Sequence, residues 1–286
     1  MSVDFCGVHL EHAFVNASGT WDPIAARKAF GQAAFDRFPF SAHVTKTITV
    51  MPRQGNLAPR IWELPAGMIN SIGLPNKGID RWLDEDLPQL AELPVPLIVN
   101  VMGFSSSELE ILVGRVGADT PAVAIELNVS CPNVETGTIV GSDPVECARV
   151  VEAVRPLTSL PLIVKLTPNA TDPAAVAVAA VEAGADAISM INTLRGIAFD
   201  PATGEPWLGG GTGGVSGPGV KAIALAQIAS VREAIKAPIV GIGGVSTGRD
   251  AADMFQAGAD LVGIGTASFR DPLAADAIRS EYSNLS

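Results

Sequence analysis

With 286 residues the chain could hold two ordinary domains, yet it is also near the roughly 250 residues of a single (β/α)8 barrel, and its 48% hydrophobic content supports a large buried core. A formal net charge of -11, a pI near 4.7 and the lack of any basic run exclude a nucleic-acid or anionic-membrane surface, which needs clustered Lys and Arg. Cys6, Cys131 and Cys147 are far apart and odd in number, so no disulfide framework or metal knuckle is readable and a reducing, cytoplasmic compartment is expected.

In chain order, the opening segment MSVDFCGVHLEHAF has no basic stretch followed by a long apolar run, so no leader is expected. Eight β-like runs follow: 12–18, 43–49, 96–102, 123–130, 161–167, 187–193, 238–244 and 261–267. Helix-period segments lie between the later ones, at 145–157, 173–184, 221–236 and 249–257. The most apolar of them, AAVAVAAVEAG, is broken by Glu182 well short of a membrane span. Alternating strand and helix predicts a parallel sheet buried on both faces. Eight units with no compositional break predict one closed TIM barrel over residues 1–286 rather than an open doubly wound sheet. Two connections, 50–77 and 194–220, exceed a minimal barrel and read as long active-site loops without regular structure.

The fourth run ends in Glu126-Leu-Asn-Val-Ser-Cys-Pro-Asn133, which crowds amides and one thiol at a strand's C-terminal end, where barrel enzymes place their chemistry. A lone cysteine is more often a small buried hydrophobe than a catalyst. Cys131 differs in its polar neighbours and in the Pro132-Asn133 pair that follows it, and its thiol can serve as nucleophile or general base. The three histidines, His9, His12 and His43, form no evident pair with it.

Gly241-Ile-Gly-Gly244 closes the seventh run and Gly263-Ile-Gly-Thr266 the eighth, the usual phosphate position of a barrel. Tight turns alone would explain either pair. Together, with Gly213-Gly-Val-Ser-Gly217 nearby, they indicate a phosphate-bearing ligand. The pattern is not a dinucleotide GxGxxG.

Lys46 and Lys165 interrupt apolar strands. Each either snorkels or pairs with a carboxylate such as Glu126, or holds an electron-rich ligand atom; a Schiff base on Lys165 is a further possibility. One Asn at a strand end is usually a turn residue. Asn16, Asn100, Asn128, Asn133 and Asn192, with Asn70 in the long second loop, suggest instead a ring of amides facing a flat ligand such as a pyrimidine or a flavin edge.

ELNVSCPN, with NASGT at 16–20, TKTIT at 45–49, PRQGNLAPRI at 52–61, GMINSIGLPNKG at 67–78, VKLTPN at 164–169, INT at 191–193, GGVSGP at 213–218 and GIGG at 241–244, resembles the dihydroorotate dehydrogenase family in consistent order from about residue 14 to 270. The cysteine at 131 is similar to class 1, and the wording GNLAPRI and CPNVETGTIVGSDP to its NAD-linked subclass 1B. Departures are modest: Gly219 and Ala222 at the start of the helix after GGVSGP, and Thr138 in the catalytic loop.

The resemblance implies oxidation of dihydroorotate to orotate, in pyrimidine biosynthesis towards UMP, with FMN as cofactor. Carried over motif by motif, FMN would contact Ser18, Lys46, Thr47, Asn100 and Asn128, then Lys165, Ile191 and Gly217, and finally Gly243, Gly244, Gly265 and Thr266. The substrate would meet Lys46, the segment Asn70, Ser71, Ile72, Gly73 and Leu74, and Asn128, Asn133, Asn192 and Thr193, with Cys131 as base. It also implies a homodimer core bound to an iron–sulfur and FAD electron-transfer subunit as a heterotetramer. The rivals are a flavin barrel acting on another reduced pyrimidine, as in a dihydropyrimidine dehydrogenase module, a Schiff-base lyase using Lys165, and a non-catalytic phosphate-binding barrel.

Overall fold

The computed structural model describes residues 2–130 and 139–285, the side chain of Ala34 excepted. Eight parallel strands form the central sheet: β1 Phe14–Asn16, β2 His43–Val44, β3 Leu97–Val101, β4 Ala124–Asn128, β5 Leu162–Lys165, β6 Ala187–Met190, β7 Ile239–Ile242 and β8 Leu261–Ile264. Each lies inside one of the eight expected runs. Their order round the sheet is β1-β8-β7-β6-β5-β4-β3-β2, as a barrel requires. Every residue of β3 to β8 is buried, which explains why these runs read as apolar without alternation.

The ring closes between β1 and β2 in an unusual way. No backbone ladder joins them; instead the Asn16 amide acts as a piece of backbone, its Nδ2 donating to the Val44 carbonyl at 2.7 Å and its Oδ1 accepting from the Val44 N–H at 2.8 Å. Flanking bonds reinforce the joint: Ser41 N–H donates to the Phe14 carbonyl at 3.0 Å, and Ser18 Oγ to the Thr45 carbonyl at 2.8 Å. β2 itself is short. Thr45 still holds β3, its N–H donating to the Ile98 carbonyl and its Oγ1 accepting from the Asn100 N–H, both at 3.0 Å; the chain then swings out at Lys46 and Thr47 and rejoins β3 at the Ile48–Val101 bridge.

Two apolar layers hold the barrel. The larger packs the strands against the outer helices and includes Val99, Ile125, Val164, Leu112, Val151 and Ile228. The smaller fills the barrel's lower interior with Val44, Ile98, Ala124, Ile163 and Leu261, and Phe5 and Leu10 seal it. Those two belong to an N-terminal hairpin, Val3–Phe5 with Val8–Leu10, turned by Cys6 at φ 52° and Gly7 at φ 80°. Two positive φ values in a two-residue turn match the twist of a hairpin.

The helices 145–157, 173–184, 221–236 and 249–257 are found as Pro144–Val154, Pro173–Glu182, Lys221–Ala234 and Gly248–Gln256. Proline at the first turn and Asp143 or Asp172 as N-cap start the first two, since proline lacks the N–H that a helix start leaves unbonded. No helix among the described residues is long and apolar enough to cross a membrane.

The two long connections correct the expectation that they lack regular structure. Ile61–Leu64 and Gly67–Asn70 form a hairpin inside 50–77, Leu194–Ile197 and Thr212–Ser216 another inside 194–220, and the two join as a four-stranded antiparallel sheet. The pairing is between distant segments, with Asn70 opposite Gly214 and Ile69 opposite Val215. Glycines in these strands masked the pattern, since glycine is depleted from ordinary strands.

Candidate active site

The upper end of the barrel, where β1 to β8 end, gathers the expected residues. Asn128 ends β4 directly beside Lys165 at the end of β5. The Asn128 Oδ1 accepts from the Ser130 N–H and from Asn192 Nδ2, both at 3.3 Å, and Asn192 Nδ2 also donates to Ser130 Oγ at 2.8 Å. Asn192 follows β6 and fixes the next residue by accepting the Thr193 N–H at 2.8 Å. Thr193 packs on Gly214, whose carbonyl accepts from Asn70 Nδ2 at 3.2 Å. Four of the expected substrate residues, Asn70, Asn128, Asn192 and Thr193, thus belong to one connected group.

The Asn70 to Leu74 segment is held from outside by Asn56. The Asn56 N–H donates to the Ile72 carbonyl at 3.1 Å, and its Nδ2 donates to Ser71 Oγ at 2.7 Å. Gly73 has φ 76°, and a β-carbon there would lie 2.5 Å from the Asn56 nitrogen, so only glycine lets the strap turn back. Leu74 also sits at positive φ, 56°, and its carbonyl accepts from Asn76 Nδ2. Ser71 is therefore engaged within the strap, and nothing in the sequence singled out Asn56.

The glycine cradle forms beside this group. Gly217 has φ 98°, and Gly243 and Gly244 have φ 135° and 79°. A β-carbon on Gly244 would come within 2.7 Å of Lys221 Cβ and 3.0 Å of the Gly217 carbonyl, so the two loops lie against each other. Thr266, following β8, donates to Ser216 Oγ at 2.9 Å and ties the third loop in. Gly265 differs, with no positive φ and ordinary room for a β-carbon. Ile191, buried after β6, packs under Gly243.

The lysines are set apart by burial. Lys165 is buried and 3.8 Å from Glu126 Oε2, too far for a hydrogen bond. Lys46 projects from the swing after β2 and makes no hydrogen bond or ion pair among the described residues; partial burial pushes its pKa down, Asp22 opposing and Arg60 adding to the shift. Ser18 and Thr47 flank it, Thr47 buried. Asn100 in β3 is fully buried; its Nδ2 donates to Glu126 Oε2, while its Oδ1 has no partner among the described residues.

Asn16 is the amide that the ring of asparagines does not include, because both its polar atoms serve the β1–β2 joint. Cys131 and Asn133 lie outside the described residues. Cys6 and Cys147 stand away from the mouth: burial raises the Cys6 thiol to about 11, with Asp186 adding, and the Cys147 thiol to about 12. His43 is buried in β2 with Nδ1 unpartnered and its ring edge-on to Phe38 at 5.4 Å, and burial lowers its pKa to about 3.

The dihydroorotate dehydrogenase family model matches residues 1–285. The chain belongs to the dihydroorotate dehydrogenase family. A protein of Geobacter sp. (strain M21), "Dihydroorotate dehydrogenase B (NAD(+)), catalytic subunit", is 43% identical over 287 residues, covering 98% of this chain and 91% of that protein. One of the same description from Geotalea daltonii is 44% identical over 279 residues, covering 97% and 90%. Among solved structures, Eimeria tenella DHODH in complex with ferulenol superposes with a TM-score of 0.79 at 24% identity, covering 99% of this chain and 84% of that one, which shows the shared fold.

The family is flavin-dependent, and the residues at the mouth fit such a group. Asn100 keeps a buried acceptor with no protein donor, and Lys165 a buried ammonium with no hydrogen-bond partner among the described residues. Buried polar atoms are nearly always partnered in a finished structure. A ring with imide N–H and carbonyl groups along one edge satisfies both.

Proposed function

We propose that the chain oxidises dihydroorotate to orotate in the route to UMP, with FMN held at the barrel mouth, and that residues 1–286 act as one domain. The observation carrying this reading is that a glycine cradle and a connected group of amides, Asn70, Asn128 and Asn192, share that mouth with two lysines lacking hydrogen-bond partners among the described residues. Ser18, Lys46, Thr47, Asn100, Asn128, Lys165 and Ile191 would hold the flavin ring and ribityl chain; Gly217, Gly243, Gly244, Gly265 and Thr266 would hold its phosphate. When bound, FMN supplies the hydride acceptor.

The chain's own residues do the rest. Lys46 pairs with the substrate carboxylate, and the Asn70 to Leu74 strap with Asn128, Asn133, Asn192 and Thr193 orients the pyrimidine edge. Cys131 would take the proton from C5 of the substrate. Orientation of this kind supplies a large share of rate acceleration.

The chain acts in the cytoplasm with a partner. Its relatives are described as catalytic subunits of an NAD(+) type, which supports a further subunit. Three scattered cysteines are too few for the four thiolates of a usual cluster, and the GxGxxG match at 209–214 lies in an antiparallel hairpin rather than between a strand and a helix, so the iron–sulfur cluster and FAD are assigned to that subunit, in a heterotetramer built on a dimer of this chain.

The test uses the purified chain alone, reduced anaerobically with dihydroorotate and then offered NAD, fumarate or an artificial dye. A yellow protein that bleaches with dihydroorotate and reduces only the dye supports the whole reading. Turnover with fumarate moves the chain to subclass 1A. A protein that binds flavin but is not reduced by dihydroorotate refutes the substrate.

A further inference from the structure

Glu126 is a buried carboxylate in the middle of β4 to which no step above gives a task. Removing a carboxylate from water is costly unless it is both paired and hydrogen-bonded. Glu126 achieves this with three partners from three strands. Asn100, its register neighbour on β3, donates Nδ2 to Oε2; Ser189 of β6 donates Oγ to Oε1 at 2.8 Å; Lys165 of β5 lies 3.8 Å from Oε2.

Two of these partners, Asn100 and Lys165, are the groups at the mouth whose hydrogen-bonding capacity is unmet among the described residues. An ionised carboxylate only accepts, so the Asn100 amide must turn its NH2 to Glu126, which leaves Oδ1 as the free acceptor. The same carboxylate stands near enough to the Lys165 ammonium to offset its charge without taking up its donors.

We propose that Glu126 is a positioning residue which fixes Asn100 as an acceptor toward the flavin and offsets the charge of Lys165, so that this carboxylate helps set the flavin's reduction potential. The inference rests on the flavin reading above. A carboxylate serving only to fill the core would leave the potential alone.

The experiment compares wild type, Glu126→Gln and Glu126→Asp, each loaded with FMN, by spectroelectrochemical titration and by flavin affinity. Gln keeps the shape and an acceptor but not the charge. The reduced flavin, which carries the greater negative charge, is then held relative to the oxidised form at least tenfold more tightly than in wild type, a shift of about 30 mV to more positive potential for a two-electron couple. Asp keeps the charge but not the reach, so its potential stays closer to the wild-type value than that of Gln. An unchanged potential in folded, loaded Glu126→Gln overturns the proposal.

Should Glu126→Gln fail to fold or to load, Glu126→Asp decides through its shorter reach to Asn100. Flavin binding at least tenfold weaker than wild type supports the proposal, and equal affinity overturns it. A wild-type chain that takes up no flavin is a separate outcome, overturning the function reading and this inference with it.

Discussion

Replacing Asn16 by Ala removes the amide that bridges β1 to Val44 of β2. Both polar groups of Val44 then lose their partners in a residue only 5% exposed. Each buried group left unsatisfied costs about 1–3 kcal/mol, so the pair costs about 2–6 kcal/mol before water enters. Total stability is typically about 5–15 kcal/mol, so the variant should be marginal at the upper figure and measurably weakened at the lower. Asn16→Asp is the sharper probe. Its carboxylate can still accept from the Val44 N–H but faces the Val44 carbonyl with no proton to give, so at neutral pH it should destabilise at least as much as Ala despite its near-identical shape. The assay is equilibrium unfolding in urea at 25 °C, comparing free energies at matched slopes. Losses under about 0.5 kcal/mol for both variants, within the range of ordinary surface substitutions, would refute the claim that the amide closes the ring.

Other outcomes follow from the mouth and the core. Gly244→Ala should lose bound flavin, because the added carbon meets Lys221 Cβ at 2.7 Å in a residue at φ 79°; flavin retention through gel filtration checks it. Lys46→Ala should weaken orotate binding at least tenfold, about 1.4 kcal/mol, in a fluorescence titration, and unaltered affinity removes Lys46 from the substrate site. Cys131→Ala should keep flavin yet lose most of its reduction by dihydroorotate, while Cys131→Ser keeps a weak activity displaced to alkaline pH; near-normal reduction in the alanine variant excludes the thiol as base. His43 binds its proton only near pH 3 when folded and near 6.5 when unfolded. Between those values the unfolded chain holds more protons, so stability falls as pH drops through that window, and unfolding at pH 7.5 and 5 should show a smaller loss in His43→Phe than in wild type.

The parallel barrel was legible because its strands lie in apolar runs and helix-period segments separate the later ones, and all eight runs contain a barrel strand. What escaped depends on pairing at a distance. Ile69 and Val215 are 146 residues apart and pair through strands containing Gly67, Gly213 and Gly214, so neither segment shows a strand pattern by itself. The glycine loops were legible as a cradle, and the structure adds that Gly217 and Gly244 are also required by their mutual contact. Asparagine at a strand end carries no mark distinguishing a ligand contact from a structural joint, and so Asn16 was grouped with Asn128 and Asn192. Glu126 was visible as a partner for Lys165, whereas its bonds to Asn100 and Ser189 emerge only once β3, β4 and β6 are brought together.

A closed ring of strands has no natural end, but this one has a latch. Seven of its joints are continuous ladders that yield only when a strand unzips, while the eighth hangs on one planar amide with a few flanking bonds. The latch lies two residues before Ser18 in sequence and two before Lys46 on the facing strand. Loosening it would let β1 and the lysine-bearing swing move as separate flaps without disturbing the other seven joints. Hydrogen exchange should register this as an early opening local to residues 14–18 and 41–47, a breathing motion confined to the wall where Lys46 projects.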